Sequence, residues 1–312
     1  MVKANAYNHG LAGVIDISNT IVDRYGVATL DEAIKIRKLG VAKPITLFSF
    51  ESKDILDVIK YNITPVVYNE QTLNAVLDEK YHNFDIKIDT GMNRYGYKSK
   101  SEISSVIRYL SNINFIPRAI HSHFYSVESM LEQMRLFDNI VTDYLSVLST
   151  PKKIVSASLG INNGLYLDGV RLGLGAYLNA LEVSSDILSI KNVHAYEKVG
   201  YDGYYVPTKN TKIAIISGGY YDGIRRSYRG AKVLVNGYYA TIVGRVCMDV
   251  TLVDIGDIQA KIGDRAVIIN PHTLNSYIDK DNSSEYEVIT AINGRGKRIY
   301  LYNGQNYNKI VD

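Results

Sequence analysis

The sequence predicts a (β/α)8 barrel followed by a β-rich domain, and three observations predict it. Through roughly residue 175, eight short apolar runs alternate with longer amphipathic stretches, the pattern of repeated βα units. After about residue 188 the texture changes to strand-like runs separated by Gly-, Asn- and Asp-containing turns. The 312 residues exceed what one small core needs and suit two domains, expected over 1–188 and 189–312.

In chain order, the barrel strands are expected over 2–4, 25–28, 45–48, 64–68, 84–88, 119–123, 154–157 and 169–172. The first of them is short because the chain begins two residues before Lys3. Residues 30–39 read as a helix, with Thr29 as N-cap and Asp31 and Glu32 in the first turn. Residues 52–59 and 128–148 carry apolar side chains at three- and four-residue spacing. A doubly wound sheet is the alternative, but eight parallel strands in one unbroken alternation favour the closed barrel. In the second domain, strands are expected over 212–216, 232–235, 238–243, 250–253 and 265–269. Asn236-Gly237 between two of them is a two-residue hairpin signal.

Composition excludes several classes. A hydrophobic fraction of 46% with 21% charged residues is globular and not disordered. The net charge of +3 comes from scattered residues, so no nucleic-acid footprint is present. Cys247 is the single cysteine, which rules out a disulfide framework and a multi-cysteine metal site and suits a reducing compartment. No apolar run approaches the roughly 18 residues of a membrane helix. The N-terminus lacks a signal-peptide core. A cytoplasmic protein is expected.

Candidate chemistry gathers at the strand ends, where barrels build active sites. Lys3 ends the first expected strand. An amine that loses its charge in a dry pocket forms a Schiff base with a carbonyl cofactor; the competing reading is a solvated lysine near a terminus. Lys87 and Asp89 share a strand face, with Arg94 beyond them, as a binding site or a structural ion-pair cluster. His121 and His123 share a face at a spacing compatible with zinc. With no carboxylate motif beside them, no metal is expected, and His123 is read as a hydrogen-bonding partner. Gly173 and Gly175 follow the last barrel strand, where loops commonly hold phosphate on backbone N–H groups.

Five collinear segments resemble the alanine racemase family. Val2-Lys3-Ala4-Asn5-Ala6-Tyr7-Asn8-His9-Gly10 resembles its cofactor-attachment signature. Asp89-Thr90-Gly91-Met92-Asn93-Arg94, Arg171-Leu172-Gly173-Leu174, Gly219-Tyr220-Tyr221-Asp222-Gly223 and Gly244-Arg245-Val246-Cys247-Met248-Asp249 match the later landmarks. The resemblance runs from residue 2 to about 300.

The resemblance implies a pyridoxal 5'-phosphate enzyme that racemises alanine by two-base proton transfer and supplies D-alanine for peptidoglycan. It implies that Lys3 holds the cofactor covalently and serves the D face of the substrate. Tyr201 would serve the L face from the partner subunit of a homodimer. Arg171 would face the pyridine nitrogen, and His123 would lie beside the ring. Arg94 would sit near the substrate carboxylate, steadied by Lys87, which is often carbamylated in the family. Met248 would offer its backbone N–H to that carboxylate. Tyr7, Ser158, Gly173 and Leu174 match phosphate contacts, while Tyr220 and Asp249 support the pocket.

Two departures stand out. Family members carry a strand and helix ahead of the lysine signature, so the chain is expected to be a truncated form. The C-terminal Tyr286–Arg295 stretch resembles the segment holding a phosphate-binding tyrosine, and the aligned residue is read as Gly294. A broader-specificity or serine racemase, and a non-catalytic cofactor-binding homologue, are the alternative functions.

Overall fold

The computed structural model describes residues 1–145, 152–155, 157–292, 295–302 and 305–306. It divides into two compact units. One comprises Met1–Ala6 with Gly10–Ala176, the other Tyr7–His9 with the chain from Tyr177 onward. The division thus falls ahead of the expected residue 188, which lies inside a strand of the second unit.

The first unit is built on six parallel strands paired in sequence order. They are β1 (Tyr25–Val27), β2 (Ile45–Leu47), β3 (Thr64–Val67), β4 (Asp85–Lys87), β5 (Ala119–His121) and β6 (Lys152–Ile154). The two remaining barrel positions are occupied by single contacts in place of full strands. Val2 N–H donates to the Gly26 carbonyl at 2.9 Å, the Met1 amino group donates to the Leu172 carbonyl at 2.8 Å, and Ala157 and Arg171 form a parallel bridge. The strand expected over 2–4 gives way at Lys3 to α1 (Lys3–Tyr7), a turn considered with the site below.

The barrel strands read as apolar runs because both their faces are covered. Ile45, Leu47, Val66, Val67 and Ile120 have no more than trace exposure, and each such side chain stabilises by about 2 kcal/mol. The covering helices are α2 (Leu11–Ser18), α3 (Leu30–Lys38), α4 (Ile55–Lys60), α5 (Glu70–Asp78), α6 (Lys100–Asn112), α7 (Met130–Leu145) and the short α8 (Ser158–Asn162). Thr29 caps α3 in a capping box with Glu32, as its sequence predicts. The helix expected over 128–148 is present to Leu145; positions 146–148 lie outside the described residues.

The second unit contains a closed antiparallel barrel in the order β10-β11-β8-β7-β12-β9. Its strands are β7 (Val183–Val193), β8 (Thr211–Ser217), β9 (Lys232–Val235), β10 (Tyr238–Ile242), β11 (Val250–Asp254) and β12 (Arg265–Ile269). Asn236 and Gly237, with φ of 49° and 83°, make the two-residue hairpin between β9 and β10. Sequence reading missed β7, whose run of serines, Asp186 and Lys191 hides its period-2 alternation. It also missed α9 (Leu274–Asp281) and α10 (Glu285–Ala291). Among the described residues, no helix is long and apolar enough to cross a membrane.

Candidate active site

Lys3 leads into a stretch of backbone that L-residues avoid. Ala4, Asn5, Ala6, Tyr7 and Asn8 all take positive φ, between 52° and 66°. A left-handed turn costs such residues about 1–2 kcal/mol each, so strong local contacts must hold it. Ala6 N–H donates to the Val2 carbonyl at 2.9 Å and Gly10 N–H to the Asn5 carbonyl at 3.1 Å. Leu11 N–H donates to Asn5 Oδ1 at 2.8 Å, and Ala4 N–H to Glu32 Oε1 at 2.6 Å. The other oxygen of Glu32 caps α3 through the Ala28 and Thr29 N–H groups. Glu32 therefore ties the lysine turn to a helix start. Strain of this kind gathers at functional sites.

Around the Lys3 amine stands a set of cations. Burial, and then the charges of Arg94 and Arg171, pull its pKa below the ordinary lysine value, with Glu32 opposing. Lys87 on β4 is buried and pushed down to about 7, first by burial and then by Arg171. Its Nζ donates to the Ile88 carbonyl at 3.4 Å. The next residue on that face, Asp89, organises the loop, accepting the Gly91 N–H at 2.9 Å and the Arg94 N–H at 3.0 Å.

Arg171 is gripped on several sides. Its Nη2 donates to the Ser122 carbonyl, to the Val155 carbonyl at 3.3 Å and to Nδ1 of His123 at 3.1 Å. The guanidinium lies over the Phe48 ring, 5.2 Å from its centroid. Burial, then Arg171 and the other cations, lower the His123 pKa to about 3. The imidazole is therefore neutral at ordinary pH. His121, the last residue of β5, turns to a different partner, with Nε2 2.9 Å from Asp85 Oδ2.

The loop after the last barrel position supplies donors. Ser158 Oγ, at the start of α8, accepts the N–H groups of Gly173 and Gly175 at 3.1 and 3.2 Å. A Cβ at position 175 would come 2.9 Å from that oxygen, so only glycine allows the approach. Leu174 N–H donates to no acceptor among the described residues. A rotatable hydroxyl, close glycine N–H groups and an amine with lowered pKa among arginines fit a cofactor that joins a carbonyl to a phosphate.

In the second unit, Tyr201 sits on a turn shaped by left-handed residues, with Gly200 at φ 74° and Asp202 at φ 58°. Arg245 secures that turn through a 2.7 Å ion pair with Asp202. Arg245 and Arg229 both lie over the Tyr204 ring, at 4.8 and 4.6 Å. The Tyr201 side chain is 66% exposed. Met248 N–H has no acceptor among the described residues. Tyr7 is buried, its ring 5.2 Å from that of Tyr177 and 6.0 Å from that of Tyr286 on α10.

Family models of the alanine racemase N-terminal domain and of the alanine racemase C-terminal domain match residues 1–180 and 180–300 respectively. The chain belongs to the alanine racemase family. It is 31% identical to alanine racemase 1 of Caldanaerobacter subterraneus subsp. tengcongensis, over 97% of this chain and 88% of that one. It is 32% identical to the alanine racemase of Lactobacillus gasseri, over 96% and 89%. The solved alanine racemase of Clostridium difficile 630 superposes with a TM-score of 0.90 at 27% identity, over 98% of this chain and 89% of that chain.

Within this alanine racemase fold, the first unit brings together Lys3, Lys87, Arg94, His123, Arg171, Ser158, Gly173 and Leu174. Tyr7, Tyr201, Tyr220, Met248 and Asp249 belong to the second unit. Gly294 lies outside the described residues. In the described part of that segment, the Tyr286 ring meets the Tyr7 ring. Sequence reading also missed Gln133, whose Nε2 donates to Thr90 Oγ1 at 3.0 Å and to the His123 carbonyl at 2.9 Å. Its signal was a lone amide on the apolar face of α7.

Proposed function

We propose that the chain interconverts L- and D-alanine using pyridoxal 5'-phosphate held at Lys3. The observation that carries this reading is the Lys3 amine: a lysine next to the Val2–Gly26 contact at a barrel position, with a lowered pKa, facing Arg171 and Arg94. When bound, the cofactor delocalises the negative charge left at the substrate Cα as its proton departs. Ser158, with the N–H groups of Gly173 and Leu174, would hold the phosphate. Arg171 would face the pyridine nitrogen. A guanidinium does not give up its proton, so Arg171 would donate a hydrogen bond to that nitrogen without protonating it. The neutral His123 accepts from Arg171 and holds it in place.

Racemisation needs a proton acceptor and donor on each face of the Cα. Lys3 takes the D face, its amine partly uncharged because burial and cations lower its pKa. Tyr201 takes the L face, contributed by a second copy of the chain. Support for that homodimer comes from the face around Tyr201, where Tyr204, Tyr220, Tyr221 and Met248 are all exposed beside Arg245. Exposed tyrosines with arginine are the composition of a buried contact. Met248 N–H and Arg94 would receive the alanine carboxylate, and Lys87, steadied as a carbamate, would support Arg94. The D-alanine formed would serve peptidoglycan synthesis in the cytoplasm, where the single free Cys247 stays reduced.

The test combines a spectrum with a rate. Purified protein supplied with pyridoxal phosphate should show a band near the visible edge, and borohydride should fix the label to Lys3 in a peptide map. The same preparation should convert each alanine enantiomer to the racemate faster than it converts serine. Label on another lysine, or no conversion of alanine, would defeat the reading.

A further inference from the structure

We propose that Arg295 is the clasp that aims the Met248 N–H at the substrate carboxylate; this rests on the racemase reading above. The Met248 N–H belongs to the peptide plane whose carbonyl is that of Cys247. That carbonyl accepts the Tyr220 N–H at 2.9 Å, and the Met248 carbonyl accepts the Tyr221 N–H at 3.2 Å. Gly218 N–H donates to the Asp249 carbonyl at 2.9 Å. Two turns, 218–223 and 244–249, are thereby zipped backbone to backbone. A Cβ at position 219 would lie 2.2 Å from the Cys247 oxygen, so the zip closes only over glycine. With its carbonyl face committed in this way, the plane leaves the Met248 N–H pointing outward and without an acceptor among the described residues.

Arg295 holds both turns from one side. Its Nε and Nη2 form a fork on Asp222, at 3.0 and 2.7 Å, and its Nη1 donates to Asp249 Oδ1 at 2.8 Å. Asp222 in turn accepts the Gly219 N–H at 3.0 Å. The guanidinium also lies over the Tyr221 ring, 5.0 Å from its centroid. An isolated exposed ion pair carries little, but a bidentate fork shared between two carboxylates adds geometric specificity. The clasp acts on charge as well. Asp222 and Asp249 stand in the turns flanking a donor meant for a carboxylate, and Arg295 offsets their repulsion. Arg295 is thus a positioning residue, acting on substrate binding through Met248.

The test uses the cofactor-loaded protein labelled with 15N-methionine, the Met248 resonance being assigned by its loss in Met248→Leu. Propionate, a small monocarboxylate without an amine, is the probe. In the parent protein propionate should shift the Met248 amide resonance. In Arg295→Gln the shift should require about tenfold more propionate, and KM for L-alanine should rise about tenfold with kcat within about twofold. Arg295→Lys should recover part of the loss. Asp222→Asn should raise KM in the same way, and the double variant should go no further than either single one; Asp222→Asn also serves if Arg295→Gln does not fold. A parent whose Met248 resonance ignores propionate overturns the carboxylate role of Met248 itself. A responsive parent with an Arg295→Gln protein of unchanged propionate affinity and KM overturns the clasp alone, as does a fall in kcat at constant KM.

Discussion

Arg171 donates from Nη2 to Nδ1 of His123 across 3.1 Å, and this bond fixes which nitrogen of the imidazole is an acceptor. His123 Nδ1 accepts, so any proton on the ring lies on Nε2. With the His123 pKa held near 3, the pair carries one positive charge and not two. That charge sits permanently on the arginine. Lys3 consequently faces a fixed cation in Arg171, which keeps its amine easier to deprotonate.

Lys3→Ala should lose both cofactor attachment and racemisation. The α1 turn is held by backbone bonds and by Glu32, so alanine there should leave the fold intact. Absorbance of the purified variant and chiral analysis of its products check this. Racemisation at the parent rate would falsify the assignment of Lys3.

Tyr201→Phe should separate the two faces of the reaction. Overall racemisation should disappear while the Cα proton of D-alanine still exchanges with solvent deuterium through Lys3. Mass spectrometry of each enantiomer incubated in deuterium oxide reads the outcome. Loss of exchange from both enantiomers, with cofactor still bound, contradicts a two-base scheme.

Mixing inactive Lys3→Ala with inactive Tyr201→Phe should restore activity. In each heterodimer one site carries both intact residues and the other carries neither, so about half of its sites should turn over. Subunits shown to exchange, yet remaining inactive together, would place Lys3 and Tyr201 of one site on the same chain.

Acid should weaken the fold through His121. Burial lowers its pKa to about 4, although the hydrogen bond to Asp85 pulls the other way. The unfolded chain binds a proton near pH 6.5, whereas the folded chain refuses it until about pH 4, so stability falls as pH drops between them. The slope is about 1.4 kcal/mol per pH unit from this one group. His121→Gln keeps an N–H donor for Asp85 but cannot titrate, so urea unfolding between pH 6.5 and pH 5 should show a shallower loss. An unchanged slope would remove His121 from the account.

Much of this protein is legible without coordinates. The alternation of apolar runs and amphipathic stretches, the Thr29 cap and the Asn236-Gly237 hairpin are local signals, because each depends on residues within one turn or one strand. The order of motifs around Lys3, Arg94, Arg171 and Met248 is equally local. The meeting of Lys3, Arg94 and Arg171 is not. Lys3 leads into a left-handed turn held by Glu32, which lies 28 positions beyond Ala4 and accepts its N–H; no helix or strand pattern announces five positive φ angles in a row. Arg295 joins Asp222 and Asp249 across 73 and 46 positions, and sequence reading gave it no role. The placement of Tyr286 beside Tyr7 spans almost the whole chain. Periodicity and turn chemistry act over a few residues and so are written in the sequence. Burial, strain relief and shared charge are settled only when distant segments pack, and these set the lysine's basicity and the direction of the Met248 N–H.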